Sequence, residues 1–308
     1  MAPVNHRFIV PRGTWHLTTS IRLDKVSWLC ALEQIRKRGK GGRHVDSVDH
    51  VGQRSGQQRL IVALDVPTHE RALELVDQLD NVFLFKVGLE LLLAGNLPDL
   101  VRAVQVRRQN KGGVFVDLKT AGDIGNTLTS MIRQLQKLSV IFLTLAESVC
   151  SAITLNSIRT MRAAREPSPY PQILMVPYLS SMDQNDILES DTTTEDLDTY
   201  ILDRGRKMLD AGCDGLIVSG AQIGVCRREF PSAVIVSPGI RPSWASTDDH
   251  KRITTPRQAI ELGSDYLVVG RPITQADSPR AAAQRIIEET DEALRKRAES
   301  AGSFTKVS

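Results

Sequence analysis

The sequence predicts an α/β protein whose body is a single (β/α)8 TIM barrel behind a flexible N-terminal extension. Eight short apolar runs rich in β-branched residues recur after residue 59, and amphipathic stretches separate them. Continuous apolar runs bounded by turns are typical of strands buried on both faces of a parallel sheet. The 308-residue chain has room for one barrel of about 250 residues.

The eight predicted strands follow one another along the body of the chain. They are residues 60–64, 82–87, 114–118, 140–145, 173–179, 215–218, 233–236 and 266–269. A doubly wound open sheet is the competing arrangement, and it usually has a glycine-rich first turn. The first run here ends Leu64-Asp65-Val66-Pro67, and neither a G-x-G-x-x-G motif nor a P-loop motif occurs anywhere. The barrel is therefore favoured.

Three helices between or after these strands have clear signals. Apolar residues between 72 and 79 follow the i, i+3, i+4, i+7 spacing of an amphipathic helix. Thr255-Pro256 predicts a helix start that Gly263 can close, and Ser278-Pro279 predicts another start. The last helix carries its apolar face within residues 282–287.

The predicted domain boundaries follow the distribution of charge. Residues 1–58 hold ten Lys or Arg against four Asp or Glu, whereas the rest of the chain is mildly acidic. A nucleic-acid arm, a targeting peptide and an inert tail all fit this basic extension, and the inert tail is favoured. The barrel is assigned to residues 59–298 and a C-terminal tail to 299–308. An acidic body gives no electrostatic reason to expect a nucleic-acid partner.

Composition excludes several classes of protein. No apolar run approaches the ~18 residues of a membrane span. The four cysteines include no C-x-x-C pair, so neither a disulfide framework nor a cysteine zinc site is expected. The expected location is a reducing cytoplasm. No H-E-x-x-H or G-x-S-x-G motif is present, and we predict no metal.

Ionisable residues stand where the first three strands end. Asp65 follows the first, Lys86 closes the second, and Asp117 and Lys119 close the third. In such barrels the chemistry lies at the carboxyl ends of the strands. Asp117 and Lys119 are two residues apart, so alternation places them on one side of a strand. We therefore predict an alternating carboxylate–ammonium array at the mouth of the barrel, because buried charges must be paired.

The end of the eighth strand predicts a phosphate site. Gly270-Arg271 follows that strand, and loops after strands 7 and 8 of such barrels often bind phosphate. The long connection 237–255 precedes it and contributes Arg241 and His250. A connection of this length is long enough to act as a lid.

These residues resemble the orotidine 5′-monophosphate decarboxylase family from about residue 59 to 290. The matching blocks are Ala63-Leu64-Asp65-Val66-Pro67, Phe85-Lys86-Val87-Gly88, Asp117-Leu118-Lys119 with Asp123-Ile124-Gly125-Asn126-Thr127, Ser237-Pro238-Gly239-Ile240-Arg241-Pro242, and Leu267-Val268-Val269-Gly270-Arg271-Pro272-Ile273-Thr274. The resemblance implies cofactor-free conversion of orotidine monophosphate to uridine monophosphate and carbon dioxide.

The resemblance also implies residue roles. Lys86, Asp117, Lys119 and Asp123 would be catalytic, with Lys119 as the proton donor and Asp123 supplied by the partner subunit of a homodimer. Asp65 would bind the ribose. The other implied substrate contacts are Ile124 and Thr127 near the substrate, Ser180 at the base, and Arg241, His250, Gly270 and Arg271 at the phosphate.

Three departures from the family pattern keep alternatives open. One extra residue precedes Asp123, the fourth strand ends without the usual His, and His250 stands where Gln is common. A sister barrel that holds an enediolate of a phosphorylated sugar on magnesium is one alternative. A nucleotide-binding barrel without turnover is another.

Overall fold

The computed structural model describes residues 54–109, 111–120, 125–146, 152–178, 196–245 and 254–304. Within them, eight parallel strands pair in chain order, and β8 pairs with β1 to close a barrel. The strands are β1 (Leu60–Ala63), β2 (Leu84–Gly88), β3 (Gly113–Thr120), β4 (Val140–Ala146), β5 (Gln172–Val176), β6 (Gly215–Ile217), β7 (Val234–Ser237) and β8 (Tyr266–Val269). The predicted (β/α)8 fold is confirmed.

Helices cover the outside of this barrel. In the described residues they are α1 (Gly56–Arg59), α2 (His69–Gln78), α3 (Leu89–Ala94), α4 (Leu97–Arg107), α5 (Gly125–Lys137), α6 (Ala152–Arg165), α7 (Leu197–Ala211), α8 (Gln222–Glu229), α9 (Pro256–Leu262), α10 (Arg271–Thr274) and α11 (Pro279–Phe304). None of them is long and apolar enough to cross a membrane.

The local signals that predict the helices act as expected. Thr255 accepts a hydrogen bond from the backbone of Gln258 at the start of α9, and Gly263 ends that helix with a φ of 107°. Only glycine adopts such a left-handed conformation without steric cost. Along α2, Leu75 and Val76 are fully buried. Each large apolar side chain buried in this way contributes about 1.5–3 kcal/mol.

The interior of the barrel leads directly to the functional face. Phe115, Phe142 and Tyr266 pack edge to face inside it, with ring centroids 5.8 and 5.1 Å apart. Alternate residues of a strand point to the same side, so the next inward position on β3 is Asp117 and that on β4 is Thr144. An apolar layer thus supports a polar layer at the carboxyl ends of the strands.

Strands β3 and β4 do not pair evenly along their length. Val116 is opposite Leu143 and Thr120 is opposite Leu145. Three residues of β3, 117–119, therefore occupy the space of one residue of β4. This is a β-bulge, which bends a strand and redirects its side chains.

The chain around both predicted domain boundaries is ordered by contacts with the barrel. The backbone N–H of Gly56 donates to Asp291 of α11 at 2.6 Å, and the Arg59 guanidinium donates to the carbonyl of Asp265 at 3.0 Å. Helix α11 continues through position 298 to Phe304. The division at 58 and 298 remains a prediction, and most of the extension lies outside the described residues.

Candidate active site

A cavity of about 510 Å3 opens at the carboxyl ends of the strands. All eight strands, or the loops that follow them, contribute to its wall. Its floor is apolar and includes Phe115, Val176, Ile217 and Val268. Such a cavity can hold the apolar face of a ring while polar groups above it fix the orientation.

The charged array, which comprises Asp65, Lys86, Asp117 and Lys119, lines one side of the cavity. The Lys86 ammonium lies 2.9 Å from Oδ1 of Asp65 and 3.2 Å from Oδ2 of Asp117. Burial opposes the charge on Lys86, but the attraction of Asp117 and Asp65 outweighs it and raises the pKa of Lys86. This lysine is therefore a fixed cation that is held between two carboxylates.

Asp117 is the centre of the charged array. The Lys119 ammonium lies 3.0 Å from its Oδ1 and 2.9 Å from its Oδ2. Burial opposes ionisation of Asp117, yet Lys86, Lys119 and a hydrogen bond from Thr144 together lower the pKa of Asp117 below its ordinary value. Asp117 is only 9% exposed, whereas the Lys119 side chain is 45% exposed. The carboxylate is thus a buried anchor, and the ammonium that it holds reaches the open part of the cavity.

Thr144 is a polar contact that sequence reasoning missed. Its hydroxyl oxygen lies 2.8 Å from Oδ1 of Asp117 and 2.9 Å from the backbone nitrogen of Lys119. The available signal was a threonine within an otherwise apolar strand, two residues before the strand ends. Which residue of β3 it meets depends on the bulge, and the sequence does not reveal that.

The arginine end of the cavity comprises Arg241, Gly270 and Arg271. Arg241 is buried, and its backbone N–H donates to the carbonyl of Thr254 at 3.0 Å, which ties together the two ends of the long connection after β7. Gly239, two residues before Arg241, has a φ of 72°, a conformation that favours glycine. The Arg241 guanidinium donates to the carbonyl of Ile240 at 3.2 Å. Two arginines among the lining residues suit an anion with several oxygens.

The structure does not bring every predicted residue to this cavity. Thr127 lies on the first turn of α5, is exposed, and is not among the residues that line the cavity. Asp123, Ile124, Ser180 and His250 lie outside the described residues. Their predicted contacts with substrate remain predictions.

Metal ligands are not clustered in the part of the chain that the structure describes. No group of three or more His, Cys, Asp or Glu residues is arranged there to hold an ion. The two carboxylates of the cavity, Asp65 and Asp117, both contact an ammonium instead.

A closed parallel barrel with a charged array and paired arginines at its carboxyl face places the chain among the (β/α)8-barrel enzymes. A family model described as orotidine 5′-phosphate decarboxylase / HUMPS family matches residues 58–286. The chain belongs to this family.

Individual relatives agree with the family assignment. An orotidine 5′-phosphate decarboxylase of Methylorubrum extorquens is 39% identical over 240 residues, which cover 77% of this chain and 97% of the relative. One of Ruegeria pomeroyi is 36% identical over 236 residues, 75% of this chain and 93% of the relative. The crystal structure of the enzyme from Lactobacillus acidophilus is similar with a TM-score of 0.62 and 29% identity, over 76% of this chain and 99% of that one.

Proposed function

We propose that the protein is an orotidine 5′-phosphate decarboxylase, a carboxy-lyase that converts orotidine monophosphate to uridine monophosphate and carbon dioxide without a cofactor. The observation that carries the proposal is the Lys119 ammonium held by Asp117 in a cavity that also contains Arg241 and Arg271. The relatives named above carry this activity in their names.

Lys119 is the proposed proton donor. When the bond between the ring carbon and the carboxylate breaks, its electron pair stays on the ring carbon and carbon dioxide leaves. The Lys119 ammonium stabilises that negative charge and then transfers a proton to the carbon. Since Asp117 already holds the ammonium at 2.9 Å, little reorganisation is needed as the charge develops. Solvent returns the proton to Lys119, and the overall reaction consumes one proton.

Asp117 and Lys86 keep the donor in place. The lowered pKa of Asp117 keeps this carboxylate ionised at neutral pH. The pKa of Lys86, the second cation beside Asp117, is raised, so Lys86 stays charged. The carboxylate therefore has a fixed partner even while Lys119 gives up its proton. This pairing prevents Asp117 from becoming an uncompensated buried charge during the reaction.

The arginine end is the proposed phosphate site. Four cations and two carboxylates are found among the described residues that line the cavity, which leaves an excess of two positive charges. Orotidine monophosphate is an anion at both its phosphate and its carboxylate, so this excess favours it over a neutral nucleoside. Binding energy from the phosphate, remote from the breaking bond, serves to orient the ring.

A homodimer with active sites shared across the interface is part of the proposal. Leu89 and Leu93 of α3 are 54% and 85% exposed, and Ile153 at the start of α6 is 71% exposed. These helices follow β2 and β4, the strands on either side of β3. Exposed apolar side chains beside a site suit a subunit interface. The exposed Thr127, four residues after Asp123, suits a segment that faces a partner's cavity.

Mixing two inactive variants tests the shared site. If Asp123 acts in the partner's cavity, unfolding and refolding Lys119→Ala together with Asp123→Ala creates hybrid dimers with one intact site each. Activity would then recover to about a quarter of wild type, because half of randomly paired dimers are hybrids with one of two sites intact. No recovery from a mixture that sedimentation shows to be dimeric would contradict sharing.

A cytoplasmic location is also proposed, since the four cysteines of the sequence include no C-x-x-C pair, as suits a reducing compartment. Nucleic acid and membrane are not proposed as partners.

The decisive assay follows the absorbance of orotidine monophosphate and the release of carbon dioxide by the purified protein. We expect turnover that is unchanged by a metal chelator, and growth of a uracil-requiring strain that lacks this activity. Turnover of a phosphorylated sugar that needs magnesium would favour the sister barrel. Tight binding of uridine monophosphate with no carbon dioxide release would favour the barrel without turnover.

A further inference from the structure

The hydroxyl of Thr144 connects the side chain of Asp117 to the backbone of Lys119. It lies 2.8 Å from Oδ1 of Asp117 and 2.9 Å from the backbone nitrogen of Lys119, and Thr144 is 1% exposed. A hydroxyl buried so completely must find its partners within the protein.

The chemistry of the three groups determines which way each hydrogen bond runs. The Lys119 backbone N–H can only donate, so the Thr144 oxygen accepts there. The only hydroxyl proton is then free to go to Asp117, whose ionised carboxylate can only accept. This donation stabilises the charged form of Asp117, and it contributes to the lowered pKa of that group.

The second contact of Thr144 lies where the backbone is strained. Lys119 has a φ of 48°, in the left-handed region that non-glycine residues rarely adopt. It is also the last of the three bulged residues of β3 that face Thr144 alone. The regular ladder does not supply a partner there, and the hydroxyl of Thr144 takes the Lys119 N–H instead. The conformation that directs the Lys119 side chain back to Asp117 is thus supported from β4.

We propose that Thr144 is a positioning residue for the proposed decarboxylation, holding Asp117 as its ionised form and the Lys119 backbone in its left-handed turn. The role rests on the proposed function, because it acts through the proposed proton donor. Thr144 itself forms part of the cavity wall, but the proposal requires no contact with substrate.

The groups that face Asp117 come from three neighbouring strands. Lys86 approaches from β2, Lys119 from β3 and Thr144 from β4, while Asp65 shares the Lys86 ammonium. Two cations keep Asp117 charged at neutral pH whether or not Thr144 donates. Loss of the hydroxyl should therefore leave the charge of Asp117 unchanged at neutral pH. It should shift the acidic limb of the pH profile of kcat and disturb the positions of Asp117 and Lys119.

The test compares Thr144→Val, which keeps the shape but removes the hydroxyl, with Thr144→Ser, which keeps the hydroxyl. Thr290→Val is the matched control, because Thr290 is also 1% exposed and donates to a backbone carbonyl, that of Ile286, at 2.8 Å. We expect Thr144→Val to lower kcat about ten- to a hundredfold, as loss of a hydrogen bond to a charged group does. KM should change less than about threefold, and Thr144→Ser should restore most of kcat.

A second measurement does not depend on turnover. In protein labelled with carbon-13 at aspartate, the Asp117 carboxyl resonance reports its pKa directly. We expect that pKa to rise by about one pH unit in Thr144→Val, with the acidic limb of kcat moving with it, and to stay near wild type in Thr144→Ser. Thr290→Val should lower the melting temperature and leave the Asp117 pKa unchanged.

The outcomes separate the two proposals. If wild type does not release carbon dioxide, the proposed function fails. The Asp117 titration still tests whether the Thr144 hydroxyl stabilises the ionised carboxylate. If the folded Thr144→Val variant keeps the wild-type kcat and Asp117 pKa and only loses thermal stability, Thr144 merely supports the barrel and the inference is overturned.

Discussion

The Lys119 ammonium contacts both carboxylate oxygens of Asp117, at 3.0 and 2.9 Å, although the two residues are separated by a single residue on a bulged strand. In an extended strand these side chains would run parallel to each other, on the same side and about 7 Å apart at their origins. The left-handed backbone of Lys119 turns its side chain instead. Backbone strain and ion pairing therefore cooperate at this point.

Replacing Lys119 with alanine should remove turnover but not product binding. We expect kcat to fall at least about a thousandfold, since general acid catalysis and charge stabilisation are both lost. The dissociation constant of uridine monophosphate, measured calorimetrically, should change less than about tenfold, because the product has no carboxylate to meet the ammonium.

Lys207→Ala is the matched control for that experiment. Lys207 is also partly exposed and pairs with an aspartate, Asp203 at 2.7 Å, but it lies on α7 outside the cavity. It should keep wild-type kcat. Turnover that survives in Lys119→Ala would exclude this lysine as the proton donor.

Asp117→Asn should lower stability in a manner that depends on pH. The folded pKa of Asp117 lies below its unfolded value, so its ionisation stabilises the fold above the unfolded pKa, and this stabilisation is lost as the pH falls through the folded pKa. At pH 6 we expect a loss of about 2–4 kcal/mol in the free energy of unfolding, mainly because the buried Lys86 ammonium is left with a neutral partner, while the half-exposed Lys119 adds little. The difference from wild type should be smaller at pH 3, as urea unfolding at both values would show. A difference that does not change with pH would contradict the lowered pKa.

Arg271→Ala should weaken recognition of the phosphate specifically. Arg271 lines the cavity together with Arg241, and a hydrogen bond between charged groups contributes about 1.5–3 kcal/mol. KM for orotidine monophosphate should therefore rise roughly ten- to 150-fold. The slow decarboxylation of orotidine, which lacks the phosphate, should be nearly unaffected.

Arg280→Ala provides the control for Arg271. Arg280 is an exposed arginine whose partner is Asp80, and it lies at the start of α11. We expect no change in KM from its loss. An equal loss of activity toward orotidine and its phosphate in Arg271→Ala would mean that this arginine acts on something other than the phosphate.

Two N-terminal deletions should differ in stability. Deletion of residues 1–58 removes the Gly56 N–H that donates to Asp291 at 2.6 Å and the Gln57 amide that donates to a backbone carbonyl at 2.8 Å, whereas deletion of residues 1–53 retains both. At about 1 kcal/mol for each hydrogen bond, plus lost packing, the longer deletion should be less stable by about 2–4 kcal/mol. Differential scanning calorimetry should show a melting temperature several degrees lower, and equal temperatures would mean that α1 adds nothing to the barrel.

The charged residues on one side of the cavity can be predicted from the ends of the strands alone. Asp65, Lys86 and Asp117 each come directly after a buried apolar run, and parallel strands in a barrel bring such ends to one face. Thr144 could not be predicted in this way, because its contacts with Asp117 and Lys119 depend on the pairing of β3 with β4. Thr127 does not line the cavity of the single chain, and its predicted contact with substrate stays a prediction.

The sequence by itself determined the barrel, the positions of its strands and the charged residues at their ends, because apolar periodicity and turn residues are local properties that one chain segment carries. The tertiary structure decided how those residues meet. The bulge at residues 117–119, the left-handed Lys119 and the hydroxyl of Thr144 beneath it result from the register between strands. Register is a property of two segments packed around a shared core, so neither segment alone encodes it.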